Sequence, residues 1–425
     1  MNFSYQIRRK EFYRSTFCFA ADRNLYITSN GNVIPCCYNR NIKYGNILTN
    51  ELSEIINSKT RLNLMAKLKS NDFSMGCNYC KGAISSKNYK LLGSQYYDRL
   101  FTNLNIYPIF MEFELDTFCN LNCIMCPTDL HTNYPNNNFN ETFIEKIDPL
   151  LTNLKWAKFY GGEPFIINIY YKIWERLIEI NPGCIIKIQT NGTILNNSIK
   201  TMLEKGKFQI SISIDSLNDE NYNRIRKGAE LNKTLDNLNY FIDYSKRKQI
   251  ALDIAVCPIT ENIMDIPDII RYCNNKSIYI NFNLVENPKE LSLKYLSSEY
   301  LLKIITVYNS INLPYKSIKS FHIKSHLKSF INQLKKWHLS AIENEKTATI
   351  RMSINNLINK LTSITELNKA KLMTVFPDKD RIIEIKETSL NKLNNIQGND
   401  LNSFIKDSSN FEIQKRFEDI IKYGF

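Results

Sequence analysis

MEFELDTFCNLNCIMCPTD, residues 111–129, is the stretch from which the fold is read. Its start belongs to an apolar run, residues 109–115, that reads as a strand, and the loop leaving that strand carries Cys119, Cys123 and Cys126 in a CxxxCxxC spacing. A loop at the C-terminal end of a barrel strand can wrap three thiolates around one four-iron four-sulfur cubane. Each thiolate binds a different iron, because thiolate is the preferred ligand of such clusters. Three ligands leave one iron open, as a catalytic metal site keeps an exchangeable position. The competing reading of the three cysteines is a structural zinc site or inert thiols.

Working outward, the chain continues as apolar strands at 155–160, 184–189, 208–214, 251–256 and 277–284. They alternate with helix-like segments near 140–153, 165–180, 194–204, 218–247 and 262–274. Six strands with helical crossovers predict a parallel sheet, and right-handed crossovers curl it into an open barrel. The expected fold is therefore α/β, a partial (β/α)6 TIM-like barrel over residues 108–295, with the active site at the C-terminal strand ends. Residues 1–107 hold five cysteines around a hairpin signal, LYITSNGNVIP, then a helix-like stretch near 52–68, and close on CNYC at Cys77–Cys80. They read as a small ligand-dependent module. Residues 296–425 read as mostly helical and polar, without a catalytic motif.

The motif and its position resemble the radical S-adenosylmethionine superfamily, and further signals follow at successive strand ends. Gly161-Gly162-Glu163-Pro164 resembles that family's GGEP motif, which implies that its backbone and glutamate hold the methionyl amino group. Small glycines allow close backbone approach, and a carboxylate complements an ammonium. SISIDS on the fourth strand supplies Ser213 and Asp215, which resemble the polar residues near the ribose and the methionyl carboxylate. Arg226 resembles the arginine that pairs with that carboxylate, and Asn191 in QTNG is a further candidate. Where the family often has an aromatic residue before the third cysteine, this chain has Met125, which can pack near the adenine. The resemblance implies an enzyme whose open iron chelates S-adenosylmethionine. One electron from a donor such as flavodoxin or ferredoxin then yields a 5'-deoxyadenosyl radical that abstracts hydrogen from substrate.

The N-terminal cysteines resemble the auxiliary-cluster domains called SPASM or twitch, here placed ahead of the barrel. The resemblance implies a second 4Fe-4S cluster held by Cys18, Cys36, Cys77 and Cys80, with Cys37 as the alternative to Cys36. Four thiolates would coordinate it completely. A structural zinc on the same cysteines is the rival reading. Of the remaining cysteines, Cys257 lies at the end of the fifth strand, where it is a candidate hydrogen donor to a substrate radical, against the simpler reading of a buried small hydrophobe. Cys184 and Cys273 read as packing residues, and His131 as a solvated loop histidine with substrate contact as the alternative.

Composition bounds the rest. No stretch approaches the roughly 18 to 20 apolar residues of a membrane span, and the N-terminus lacks the apolar core and cleavage site of a secretory signal, so a cytoplasmic location is expected. Eleven cysteines, several closely clustered, suit metal ligation in a reducing compartment better than disulfides. The net charge of +13 follows a general Lys and Asn bias, and a nucleic-acid partner is not expected. Lys316, Lys319, Lys324, Lys328, Lys335 and Lys336 read as a solvated helix face. The expected substrate is a peptide, a protein side chain or a small polar molecule. The alternatives are an RNA-modifying radical enzyme and a non-catalytic iron-sulfur electron-transfer or binding protein.

Overall fold

The computed structural model describes residues 16–423 apart from 86–88, 90–91, 102–106, 127–134, 137, 347–348, 377–381, 387–389, 392 and 395–397. His131 lies outside the described residues. The chain forms two compact units, one from residues up to 293 with 307–332, the other from 294–306 and 333 onward.

The first unit contains strands β1 (Asn24–Ile27), β2 (Asn32–Ile34), β3 (Gly45–Asn46), β4 (Phe110–Phe113), β5 (Asn122–Cys123) and β6 (Trp156–Phe159). It continues with β7 (Ile185–Thr190), β8 (Lys207–Ser213), β9 (Arg226–Lys227), β10 (Leu252–Val256) and β11 (Tyr279–Phe282). Strands β4, β6, β7, β8, β10 and β11 lie side by side in chain order and are parallel throughout, which is the expected six-stranded partial barrel. Helices Glu141–Leu151, Asn168–Ile180, Asn197–Lys205, Leu231–Lys248 and Ile266–Lys276 connect them.

Strand alternation explains which face is covered. In β8 the sequence KFQISIS buries Phe208, Ile210 and Ile212, while Gln209, Ser211 and Ser213 on the opposite face are half-buried. Phe208 and Phe159 of β6 both meet the ring of Trp174, at 5.7 and 5.6 Å, in the helix Asn168–Ile180. The helices thus cover the apolar face, where each fully buried Phe or Ile contributes about 1.5–3 kcal/mol. The face left to the barrel interior is polar. Asn140, Asn196 and Asn218 start their helices by accepting the N–H three residues on.

The N-terminal hairpin is not set apart from the barrel. β1 pairs antiparallel with β2 and also parallel with β4, so one nine-stranded sheet runs from the hairpin through the barrel. Gly31 closes the hairpin at φ +80, where a Cβ would stand 2.5 Å from Asn46 Oδ1.

Two expected helices divide. The stretch near 52–68 forms Leu52–Ile56 and Lys59–Lys69, because the Ser58 hydroxyl accepts from Arg61 N–H at 3.2 Å and starts a new helix. The stretch near 218–247 forms Asp219–Ile225 and Leu231–Lys248 with β9 between them; the first helix ends at Arg226, at φ −105 and ψ 68, and β9 pairs with β5 in the cysteine loop, followed by Gly228 at φ +95.

The second unit is mostly helical, as expected, with an antiparallel pair that helical spacing did not reveal: β12 (Thr349–Ser353) and β13 (Ile382–Lys386). Its core gathers Leu357, Leu372, Ile385, Leu393, Ile405 and Phe417. Of the basic stretch, Lys316, Lys324, Lys328 and Lys335 are exposed, while Lys319 and Lys336 are half-buried. Among the described residues no helix is long and apolar enough to cross a membrane.

Candidate active site

The cysteine loop leaves β4 and is pinned by backbone pairing. Cys123 in β5 is the register partner of Arg226 in β9, and Ile124 N–H donates to Ile225 C=O at 3.0 Å. Ile124 and Met125 pack against Ile225, Ile259 and Leu291, so Met125 is held by apolar contact as well as by the chain. Cys119 and Cys123 are half-buried and Cys126 is exposed. The Asn191 amide reaches Cys119 Sγ at 3.9 Å, and Arg226 Nη1 reaches Cys123 Sγ at 3.9 Å. Burial pushes the Cys119 thiol up to about 11 and raises Cys123 and Cys126 as well. The free thiols therefore keep their protons until a metal displaces them.

Gly161-Gly162 is a true close approach. Gly162 N–H donates to Asp116 C=O at 3.0 Å and Glu163 N–H to Phe118 C=O at 2.9 Å, so the motif is stitched to the backbone leading into Cys119. A Cβ at Gly161, which sits at φ +118, would lie 2.1 Å from Asp116 O; one at Gly162 would lie 1.8 Å from Phe118 O. Glu163 is held from three sides. Its carboxylate is fully buried and accepts from Thr190 Oγ1 at 2.7 Å, Asn191 N–H at 2.7 Å and Phe165 N–H at 3.1 Å. Burial pushes it up to about 7 against these bonds. With its oxygens so engaged, Glu163 ties the second strand end to the third.

Arg226 is likewise already paired. Its Nη2 stands 2.7 Å from Asp215 Oδ2, with side-chain exposures of 7% and 0%. Asp215 Oδ1 also accepts the Cys257 N–H at 2.7 Å. The expected Arg226–carboxylate contact to a ligand is thus preceded by an internal ion pair. One buried donor, Arg226 Nε, has no hydrogen-bond partner, and it suits a further carboxylate. Ser213 is half-buried at the end of β8, and Cys257 is half-buried one residue past β10. Asn191 is engaged by Thr193 and Asn120, and so orients the loop as well as reaching Cys119.

A second cysteine cluster lies in the N-terminal part. Cys18, Cys36, Cys77 and Cys80 line one cavity, together with Tyr38 and Tyr97. Cys37 is not among its lining residues; its neighbours are Glu112, Lys158, Arg40 and Glu114, and burial pushes it up to about 12. The backbone separates the two thiols, since Asn39 N–H closes onto Cys36 C=O at 3.2 Å while the Asn39 amide reaches Cys77 Sγ at 3.5 Å. Among the described residues no group of three or more His, Cys, Asp or Glu side chains is placed to hold a metal ion. Cys36→Ser is expected to remove about half of the iron and sulfide bound per chain, and Cys37→Ser to leave both unchanged, as measured after anaerobic reconstitution.

Motif spacing missed the polar face of the barrel. Glu112 accepts from Asn24 at 2.9 Å, Tyr97 at 2.7 Å and Tyr160 at 3.2 Å. Glu114 is bonded by Tyr26 and Arg40. Asp253 accepts from Ser211 at 2.5 Å and Asn281 at 2.9 Å. The available signal was a charged residue at alternate positions of otherwise apolar strands.

Residues 114–273 match the radical SAM superfamily model, and residues 18–81 match the SPASM model, described as an iron-sulfur cluster-binding domain. Similar curated proteins include a probable GTP 3',8-cyclase of Methanocaldococcus jannaschii, 25% identical over 45% of this chain and 70% of that protein. The GTP 3',8-cyclase of Limosilactobacillus fermentum is 26% identical over 41% of this chain and 53% of its own length. The match thus spans only about half of the latter. Among solved structures, Streptococcus suis SuiB bound to S-adenosylmethionine aligns with a TM-score of 0.38 and 14% identity, over 61% of this chain and 64% of that one. The structure of anSMEcpe with bound AdoMet aligns with a TM-score of 0.36 and 17% identity, over 47% and 58%.

Proposed function

The chain belongs to the radical S-adenosylmethionine superfamily and carries an N-terminal iron-sulfur cluster-binding domain, and we propose from this premise that it acts on a polar substrate held against the concave face of its barrel. Its cofactors are a 4Fe-4S cluster, S-adenosylmethionine and at least one further iron-sulfur cluster. When bound and reduced, the first cluster and S-adenosylmethionine supply a 5'-deoxyadenosyl radical for hydrogen abstraction.

The residues divide that work. Cys119, Cys123 and Cys126 hold the first cluster and leave one iron open. The glycine-pair backbone takes the methionyl ammonium, kept in place by Glu163. Arg226, aligned by Asp215, takes the methionyl carboxylate. Ser213 and Asn191 face the ribose side, and Met125 packs near the adenine. Cys257, held by Asp215, is the chamber's candidate hydrogen donor. Cys18, Cys36, Cys77 and Cys80 hold the auxiliary cluster, and a flavodoxin or ferredoxin serves as electron donor. The substrate is a peptide, a protein side chain or a small polar molecule. A nucleotide, the class in the names of the curated relatives, falls within the last group.

The observation that carries this reading is the pinning of Cys123 to Arg226 beside a glycine pair that only a missing Cβ makes possible. The test is anaerobic reconstitution with iron and sulfide, then dithionite and S-adenosylmethionine, with assay for 5'-deoxyadenosine. Product from the parent protein and none from Cys123→Ala is expected. A loaded, reducible cluster that yields none with any substrate class would refute it.

A further inference from the structure

Lys158 and Lys187 are direct register partners on the neighbouring strands β6 and β7. Phe159 faces the covering helix and Ile186 and Ile188 are buried, so strand alternation turns both lysines to the polar interior. Lys187 is 8% exposed. Among the described residues its Nζ has neither a hydrogen bond nor an ion pair, and the same holds for Lys158. Both approach the ring of Tyr96, at 5.9 and 5.4 Å, Lys158 also lies 4.6 Å from the ring of Tyr160, and the Arg99 guanidinium lies 4.3 Å from the Tyr96 ring.

The carboxylates nearby do not neutralise this group by contact. Glu112 is bonded by Asn24, Tyr97 and Tyr160, and Asp253 by Ser211 and Asn281, all neutral donors. A largely buried lysine with no bonded partner is unusual, and such groups concentrate at functional sites. Burial, with Arg99 and Lys158 close by, brings Lys187 down to about 7, while Asp253 and Glu112 pull the other way. A lysine in this condition lacks an anion. An ammonium only donates, so whatever completes the site must bring acceptor oxygens and negative charge.

We infer that Lys158 and Lys187, with Arg99 at the same tyrosine ring, anchor an oxyanion of the substrate, a carboxylate or a phosphate. This rests on the proposed use of the barrel interior as the substrate chamber, but anion binding is read without S-adenosylmethionine cleavage. Absence of 5'-deoxyadenosine would sink the proposed reaction and leave the anchor standing, and the reverse holds too.

The reconstituted full chain is titrated calorimetrically with pyrophosphate, with a doubly capped Glu-Glu dipeptide and with the uncharged capped Gln-Gln dipeptide. One anionic probe is expected to bind at least about tenfold more tightly than the neutral one; pyrophosphate winning assigns phosphate, the acidic dipeptide carboxylate. Lys187→Met should weaken that binding about tenfold or more, and Lys187→Arg should retain it. Equal binding of anionic and neutral probes, or anion binding by Lys187→Met equal to that of the parent protein, would overturn the anchor.

Discussion

Replacing Gly162 with alanine is expected to slow 5'-deoxyadenosine formation about 100-fold. The added Cβ would stand 1.8 Å from Phe118 O, 2.4 Å from Phe118 C and 2.7 Å from Thr117 C. All three are backbone atoms, so no side chain can swing aside. Relief requires the 117–118 segment to move, and Cys119 follows it in the chain. Displacement of about 1 Å at a reacting centre costs on the order of 100-fold in rate. Overpacking adds about 1–3 kcal/mol of instability. The initial rate of 5'-deoxyadenosine release checks the first figure and urea unfolding the second. A rate within tenfold of the parent protein would show that the two loops are not coupled as their hydrogen bonds indicate.

The second large effect falls on the ion pair beneath the loop. Asp215→Ala removes the only carboxylate in ion-pair contact with the Arg226 guanidinium among the described residues, and both groups are buried. Breaking a buried pair by deleting one partner costs about 3–5 kcal/mol, chiefly because the other charge is left without compensation. The Cys257 N–H loses its acceptor at the same time. Deleting both charges, as Asp215→Ala with Arg226→Met, should be less destabilising than the sum of the single changes by at least about 1 kcal/mol. Unfolding free energies of the four proteins give the coupling, and strict additivity would refute it. Activity should be lost in all three variants, because the Arg226 guanidinium, aligned by Asp215, reaches Cys123 Sγ and is the proposed partner of the methionyl carboxylate.

These predictions depend on contacts of very different legibility. The six barrel strands were readable because their signal is local: short apolar runs separated by helix-length amphipathic segments leave little choice but parallel pairing in chain order. The three cysteines were readable for a similar reason, since spacing within one loop limits what they can wrap around. The asparagines that cap three of the helices act over three residues and are also local.

What tertiary structure alone decided is partnership across distance. Cys36 and Cys37 are adjacent, yet one joins the cavity of Cys18, Cys77 and Cys80 while the other turns toward Glu112 and Lys158. Chain direction at a turn settles that, not residue type. The partners of Glu163 are of this kind, because only the fold brings Thr190 and Asn191 to it. Arg226 meets Asp215 where the chain leaves a helix that periodicity had continued. The pairing of β1 with β4 joined the hairpin to the barrel across 86 residues, measured from Asn24 to its partner Phe110. Lys158 and Lys187 became neighbours only when β6 and β7 settled their register, since a one-residue slip would send one of them to the opposite face. Sequence therefore determined the elements and the ligand type, because both follow from local spacing; register and burial, which arise only when distant strands pack, determined which groups are spent within the protein and which remain for a substrate.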